Sequence, residues 1–466
     1  MNCEIGVYGL GAMGAALARN FTVQGFRVAA YSAWAAEREG FRGAGPDNRC
    51  ELPETLNAFT ACLTSPRRIL LMLPAGPAID QAFESLLPLL SPGDVVMDGA
   101  NSWYADAARR SELAHKHGLY YLGIGLSGGE AGALQGPGVM AGGDLEGWAL
   151  CADIWNACAA KSEGRAPCSR YIGSGGAGHY AKMVYNSIEY GILQIIAETY
   201  LLMDQLFAWS GEEIAERFSA WPNSELSSYL VDAAVILLSK QDDDDSQLTD
   251  TLLDVAEKNG AGKWIVTEGI ERGIYIPTLI EAQAMRNHSA RRELRRQGLS
   301  KLSLAPLGLG SLYNRIKETD LQDALYASIL ICYSQGIELL YAASRQFSWD
   351  ISLPDVIGCW KAGYIIRTGF LRRIERALPD AYQGNLLLSA EFCPLKEEAA
   401  LRLVSENART TGIFTPAFSA SLNYYDACRA NRVPGNLIQG LRDYFSAHDF
   451  GRSGVDDELD AEWDEE

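Results

Sequence analysis

The first 175 residues alternate between two hydrophobic periods. Short apolar runs, EIGVYG (4–9), FRVAAYS (26–32), RRILLMLP (67–74), DVVMDGA (94–100) and LYYLGIGLS (119–127), are bounded by Gly, Pro or Asp, as buried strands are. Between them, GAALARNFTVQG (14–25) and AIDQAFESLLPLL (78–90) carry apolar positions at helical spacing. Strands alternating with helices imply βαβ units and a mainly parallel, doubly wound sheet. The pattern changes at GSGGAGHY (173–180). From Gly178 to about residue 209 the chain is strongly apolar and free of proline. As one helix this stretch would span roughly 45–50 Å, and a helix so apolar is expected to lie buried inside an all-helical domain. The fold expected is an α/β Rossmann-type N-terminal domain (1–177) followed by a large all-α domain (178–434), with a C-terminal segment (435–466) that ends in an acidic tail.

Gly9, Gly11 and Gly14 form G-x-G-x-x-G directly after the first strand and before a helix. Glycines there let the backbone turn tightly and approach a pyrophosphate, which the helix N-terminus then stabilises. Met13, inside the same turn, is a further candidate cofactor contact. The choice between NAD and NADP is usually made at the end of the second strand, about 20 residues on. Tyr31-Ser32-Ala33-Trp34 stands there, without Asp, Glu or Arg at the strand end. Ser32 can donate to either cofactor, and Arg38 or Arg42 can reach round, so both cofactors stay open.

On the long apolar stretch, Lys182, Asn186 and Glu189 fall at i, i+4 and i+7, one narrow helical face. Unpaired polar groups on such a face are costly to bury. Two readings remain: a buried ion pair beside an amide, or an acid–base pair in a cleft. Desolvation can lower a lysine pKa enough for it to act as a base. Two loops belong at the carboxyl ends of strands, where ligands of open α/β sheets bind. One is DGANS (98–102) with Asn101, and the other is Ser127-Gly128-Gly129. Arg286, Arg442 and His448 are cations far apart in sequence. His115 and His117 have no third ligand in view, so no metal site is expected.

Charge narrows the partners. The 466 residues carry 40 Lys+Arg against 59 Asp+Glu, a formal net charge of −19. This argues against sequence-independent nucleic-acid binding. Eight of the acids lie in residues 456–466 and four more at 242–245, so the excess does not describe the cleft. Ten cysteines without a CxxC pair read as free thiols of a cytoplasmic protein. No signal peptide and no membrane-spanning segment are expected.

GVYGLGAMG, RRILLMLPAG, MDGANS, LSGGEAGALQGPG, GAGHYAKMVYNSIEYG, ELSSYL, GKWI and NLIQGLRDYFSAH together resemble the decarboxylating 6-phosphogluconate dehydrogenases, over about residues 3–450. The resemblance implies a homodimer in which the C-terminal segment of one subunit covers the other's active site. It implies oxidative decarboxylation of a small anionic sugar acid, 6-phosphogluconate, to ribulose 5-phosphate and CO2, with NADP (NAD possible) as cofactor. By that likeness Lys182 is the general base, Glu189 the acid that protonates C1, and Asn186, Ser127, Gly128 and Gly129 hold substrate. Asn101 lies between nicotinamide and substrate, and Tyr190, Arg286, Arg442 and His448 surround the phosphate. The chain departs from the family pattern at Ser32-Ala33 (Asn-Arg in the family), Pro74 (Lys), Tyr185 (His), Asn259 and Ala261 (Lys and Thr), and Ala131 (Glu). The same chemistry on a related 3-hydroxy acid is the alternative, because the phosphate pocket is the part most altered.

Overall fold

The structure is a computed structural model. It describes residues 2–45, 48–162, 164–221, 225–242, 246–256, 261–302, 316–362, 365–366, 368–446, 450–451 and 458–459. The N-terminal half holds eight strands: β1 (Ile5–Tyr8), β2 (Val28–Tyr31), β3 (Cys50–Glu51), β4 (Arg68–Leu71), β5 (Val95–Asp98), β6 (Tyr120–Ser127), β7 (Gly138–Gly143) and β8 (Ser169–Gly173). They form one sheet in the order β3-β2-β1-β4-β5-β6-β7-β8. Every neighbouring pair is parallel except β6 and β7. Tyr8 pairs with Tyr31 and Leu71, and Leu71 pairs with Asp98. The strands therefore end in register, and the turns after them emerge along one edge.

Side chains that alternate along each strand feed two cores. Ile5, Val7, Val28, Leu70 and Met97 pack on one face with Leu17, Phe21 and Trp155. Tyr8, Ala29, Ile69, Leu71 and Val96 pack on the other with Phe59, Phe83 and Tyr121. β7 and β8 are additions to the strands legible in sequence. GVMAGG, half glycine, has low strand propensity, and its Gly142 lets the next helix approach closely. A Cβ there would stand 2.3 Å from the Gly178 nitrogen.

That helix, Ala177–Phe207, runs 31 residues. It was expected wholly inside a helical domain. Instead its first turns dock on the sheet, and only its later part enters the helical core. A Cβ on Gly125 of β6 would meet both Gly178 O and Lys182 Cβ at 2.7 Å, so glycine lets helix and strand touch. Further along, Gly191 faces Cys332 and Gly336 faces Ile188, each with a would-be Cβ at 2.7 Å. These contacts seat the helix on Glu318–Phe347, the second long helix. Glu318–Phe347 is long and apolar enough to cross a bilayer, yet 83% of its most apolar stretch is buried inside the protein. The ten cysteines are all free thiols.

Candidate active site

The glycine turn follows β1 directly. Gly9 has φ +109°, and a Cβ there would lie 2.2 Å from Met72 O. A Cβ on Gly14 would lie 1.9 Å from Gly9 O. The turn is thus closed on the protein side. On the other side Gly11 and Ala12 are exposed, and the helix Ala12–Val23 begins there with Met13 half-buried. An open backbone cradle ahead of a helix N-terminus fits a dinucleotide pyrophosphate. Ser32, the first residue after β2, is buried and its hydroxyl donates to Glu37 Oε2 at 2.6 Å.

The Asn101 loop hangs from a buried network that the sequence alone did not reveal. Asp98, at the end of β5, is fully buried. Its Oδ2 accepts from Ser102 Oγ (2.7 Å), Tyr121 Oη (3.0 Å) and Arg110 Nη1 (3.0 Å), and its Oδ1 accepts from Ala100 N (3.0 Å). Arg110, also fully buried, donates onward to Asp80 at 2.8 Å and to Gly76 O at 3.1 Å. His179 Nε2 donates to the Asp98 carbonyl at 3.0 Å, which ties the loop to the long helix. Asn101 itself stays exposed. On the far side, Trp103 packs on Trp264 at 4.9 Å, and Tyr104 donates to Glu268 at 2.9 Å. The loop is thereby anchored to the helix Ala261–Glu271 as well.

β6 carries Ser127 to the same edge, buried beneath it. Gly128 (φ +118°) and Gly129 (φ +60°) turn the chain into the helix Gly129–Gln135. Nothing lies within 4 Å of a would-be Cβ on Gly129, so this backbone is open to a ligand.

Lys182, Asn186 and Glu189 share one face of the long helix, with Lys182 and Asn186 buried and Glu189 half-buried. The Lys182 Nζ sits 4.2 Å from the centre of the Tyr185 ring. Burial pushes the Lys182 ammonium down to about 8, with Glu189 opposing. Burial likewise raises the Glu189 carboxyl above its ordinary range, opposed by Lys182 and Arg286. Burial thus moves the two groups toward each other, the ammonium down and the carboxyl up, which suits a base and an acid acting in one site. Tyr185 stands where the family pattern has a histidine. It offers an apolar ring face to the ammonium, and its hydroxyl lies 3.4 Å from the Ile366 amide. Burial raises the Tyr185 phenol far above its ordinary range, so it adds no second base.

Arg286, in the last turn of Pro277–Ser289, lies 3.8 Å over the Tyr190 ring. Lys182, Glu189, Tyr190 and Arg286 thus form one cluster. Arg442 stands apart. It is exposed on the helix Gly435–Ser446, where its Nη1 donates to Gln439 at 3.4 Å. His448 and Asn259 lie outside the described residues, and of Ala261 only its place at the start of a helix is described.

A glycine turn at the carboxyl edge of a doubly wound sheet, beside a buried Lys–Asn–Glu stripe, defines a dehydrogenase that uses a dinucleotide cofactor. Residues 4–173 match the NAD binding domain of 6-phosphogluconate dehydrogenase, and residues 178–463 match the 6-phosphogluconate dehydrogenase C-terminal domain. The decarboxylating 6-phosphogluconate dehydrogenase of Escherichia coli K12 is 38% identical over 465 residues, 99% of each chain. The NADP(+)-dependent, decarboxylating 6-phosphogluconate dehydrogenase of Bacillus subtilis 168 is 37% identical over 465 residues, again 99% of each. The solved structure of Plasmodium falciparum 6-phosphogluconate dehydrogenase, described with NADP+ and with 6-phosphogluconate, superposes with a TM-score of 0.93 at 34% identity, covering 99% of this chain and 100% of that one. This chain belongs to the 6-phosphogluconate dehydrogenase family.

Proposed function

We propose that the protein oxidises and decarboxylates 6-phosphogluconate to ribulose 5-phosphate and CO2. The observation that carries this is the buried Lys182–Asn186–Glu189 face beside the glycine turn, in a chain matched by the family over both of its domains. When bound, a nicotinamide dinucleotide supplies the hydride acceptor, and Gly9, Gly11, Met13, Gly14, Ser32 and Asn101 are the residues that would hold it. Lys182, as the neutral amine, accepts the proton of the substrate's 3-hydroxyl while the C3 hydrogen leaves as hydride. The 3-keto acid then loses CO2, because the ketone oxygen takes up the electron pair of the breaking C1–C2 bond. Lys182, now the ammonium, donates to that oxygen. Glu189, protonated, delivers a proton to the carbon that lost CO2 while the enediol hydroxyl gives its proton back to Lys182, which returns the enediol to a ketone. Asn186, Ser127, Gly128 and Gly129 orient the hydroxyls and carboxylate. Arg286 and Tyr190 face the phosphate end.

The C-terminal segment supports a homodimer. Leu437, Ile438, Leu441, Tyr444 and Phe445 are each more than half exposed on Gly435–Ser446. Such a run calls for a cover, and a second subunit reached by this helix would bring Arg442 and His448 to its site. Free thiols suit a reducing compartment, and we place the enzyme in the cytoplasm.

The test is turnover of 6-phosphogluconate by the purified protein with NAD and with NADP, following reduced cofactor and CO2 together. Equimolar formation of both, lost in Lys182→Met, is expected. Reduced cofactor without CO2, or turnover only on a non-phosphorylated 3-hydroxy acid, would overturn this reading.

A further inference from the structure

The strand end that normally chooses between NAD and NADP carries no acid in this chain, yet an acid arrives there from the next element. The helix Ala35–Gly43 starts just after Trp34, and Glu37 lies in its first turn. The Glu37 side chain folds back over the end of β2. Its Oε2 accepts from Ser32 Oγ at 2.6 Å and from the Leu10 backbone N–H at 3.0 Å. Leu10 lies between Gly9 and Gly11, so the carboxylate is fastened to the glycine turn itself. The other oxygen, Oε1, faces Gly11, 3.8 Å from a would-be Cβ. Among the described residues no hydrogen-bond donor to Oε1 is found. Glu37, Gly11, Ala12 and Ala15 line one cleft of about 250 Å³.

Two arginines lie nearby, and Arg19 lines the same cleft with no hydrogen-bond partner for its Nε among the described residues. Arg19 lies over the Phe41 ring at 5.5 Å. Arg38 donates to the Ser32 carbonyl at 2.5 Å. A carboxylate oxygen aimed into this cleft can accept from a ribose hydroxyl. It can accept nothing from a 2′-phosphate, which meets it as a like charge.

We propose that Glu37 is the residue that makes this chain select NAD over NADP, by accepting from the adenosine ribose 2′-hydroxyl through Oε1 and repelling a 2′-phosphate. The selection rests on the dinucleotide reading of the cleft, and it sets the chain apart from its Bacillus subtilis relative, named NADP(+)-dependent. It does not depend on which hydroxy acid is oxidised.

The test is equilibrium binding to the full-length protein without substrate, read by calorimetry and by tryptophan-sensitised fluorescence of NADH and NADPH. NADH is expected to bind at least about tenfold more tightly than NADPH. ADP-ribose should compete well and 2′-phospho-ADP-ribose poorly. Glu37→Gln should narrow the ratio about tenfold by tightening NADPH, and Glu37→Lys should invert it. Should either variant fail to fold, the competition on the unaltered protein decides alone. NADPH bound as tightly as NADH overturns the proposal, and its loss in Arg38→Ala would then name Arg38 as the phosphate grip. Failure to bind either cofactor overturns the dinucleotide reading along with it.

Discussion

At the proposed substrate end of the cleft, Lys182, Asn186 and Glu189 stand on a 31-residue helix held between a sheet and a helical core. At the adenosine end the polar groups stand on a glycine turn and the first turn of a nine-residue helix whose outer face is exposed. The two ends therefore tolerate change differently. Lys182 and Asn186 are buried, and Lys182 is in register with Gly125 and Gly178, where an added methyl would strike backbone. A change there must answer to packing, desolvation and charge together. Among the described residues Glu37 is held by two donors at the edge of an open cleft. Such a site can reverse its charge preference through one residue without repacking a core.

Changes at the substrate end should therefore damage chemistry or folding, and those at the adenosine end only preference. Lys182→Met should have the largest effect, a loss of about 10³–10⁴ in turnover. Yet it should leave stability at pH 7 equal or higher, by up to about 3 kcal/mol, because it removes a buried ammonium. The sign follows from the folded value of about 8, below the ordinary lysine value of 10.5. Between these values the unfolded chain binds more protons than the folded one. Stability of the unaltered protein should then rise with pH across that window, and the advantage of Met should fade across it. Urea unfolding at several pH values checks this, and a variant clearly less stable than its parent would contradict it.

Arg110→Met should come next. It strands the buried Asp98 carboxylate under the Asn101 loop and should cost about 3–5 kcal/mol. Denaturant midpoints measure it, and a loss below about 1 kcal/mol would show that the network does not hold the loop. Arg286→Met should raise KM for 6-phosphogluconate about ten- to a hundredfold with kcat little changed, since one charge-assisted contact is lost. A fall in kcat alone would place Arg286 with the chemistry instead. The smallest effect is the pH profile. With Lys182 as base, the acid limb of kcat/KM should climb with pH toward about 8, and the loss of protonated Glu189 should bend the profile down on the alkaline side. A profile flat from pH 6 to 9 would show that Lys182 is not the base.

Much of the site was legible along the chain, because helical spacing is local. Lys182, Asn186 and Glu189 announce one face wherever the helix is docked. The glycine turn is legible for the same reason, since Gly9 and Gly14 answer to contacts within one βα unit and the strand beside it. Arg110 was not legible. It sits in YADAARRSELAHK, a stretch that reads as an exposed helix, and it is buried only because Asp80 and Asp98 converge on it from two other elements. β7 was hidden by its glycines, whose low propensity conceals that they make room for Gly178.

By itself the sequence determined the βαβ order, the glycine turn, the polar face of Lys182, Asn186 and Glu189, and the family, because each rests on short-range pattern or on matched segments. Tertiary structure alone decided that the long helix leaves the sheet to enter the helical core. It also decided that Lys182 is desolvated near Glu189, and that Glu37 reaches back from beyond the strand end to the glycine turn. The physical reason is common to all three. Burial, pKa and the direction of a carboxylate depend on which distant residues come within about 4 Å, and only the folded chain brings them there.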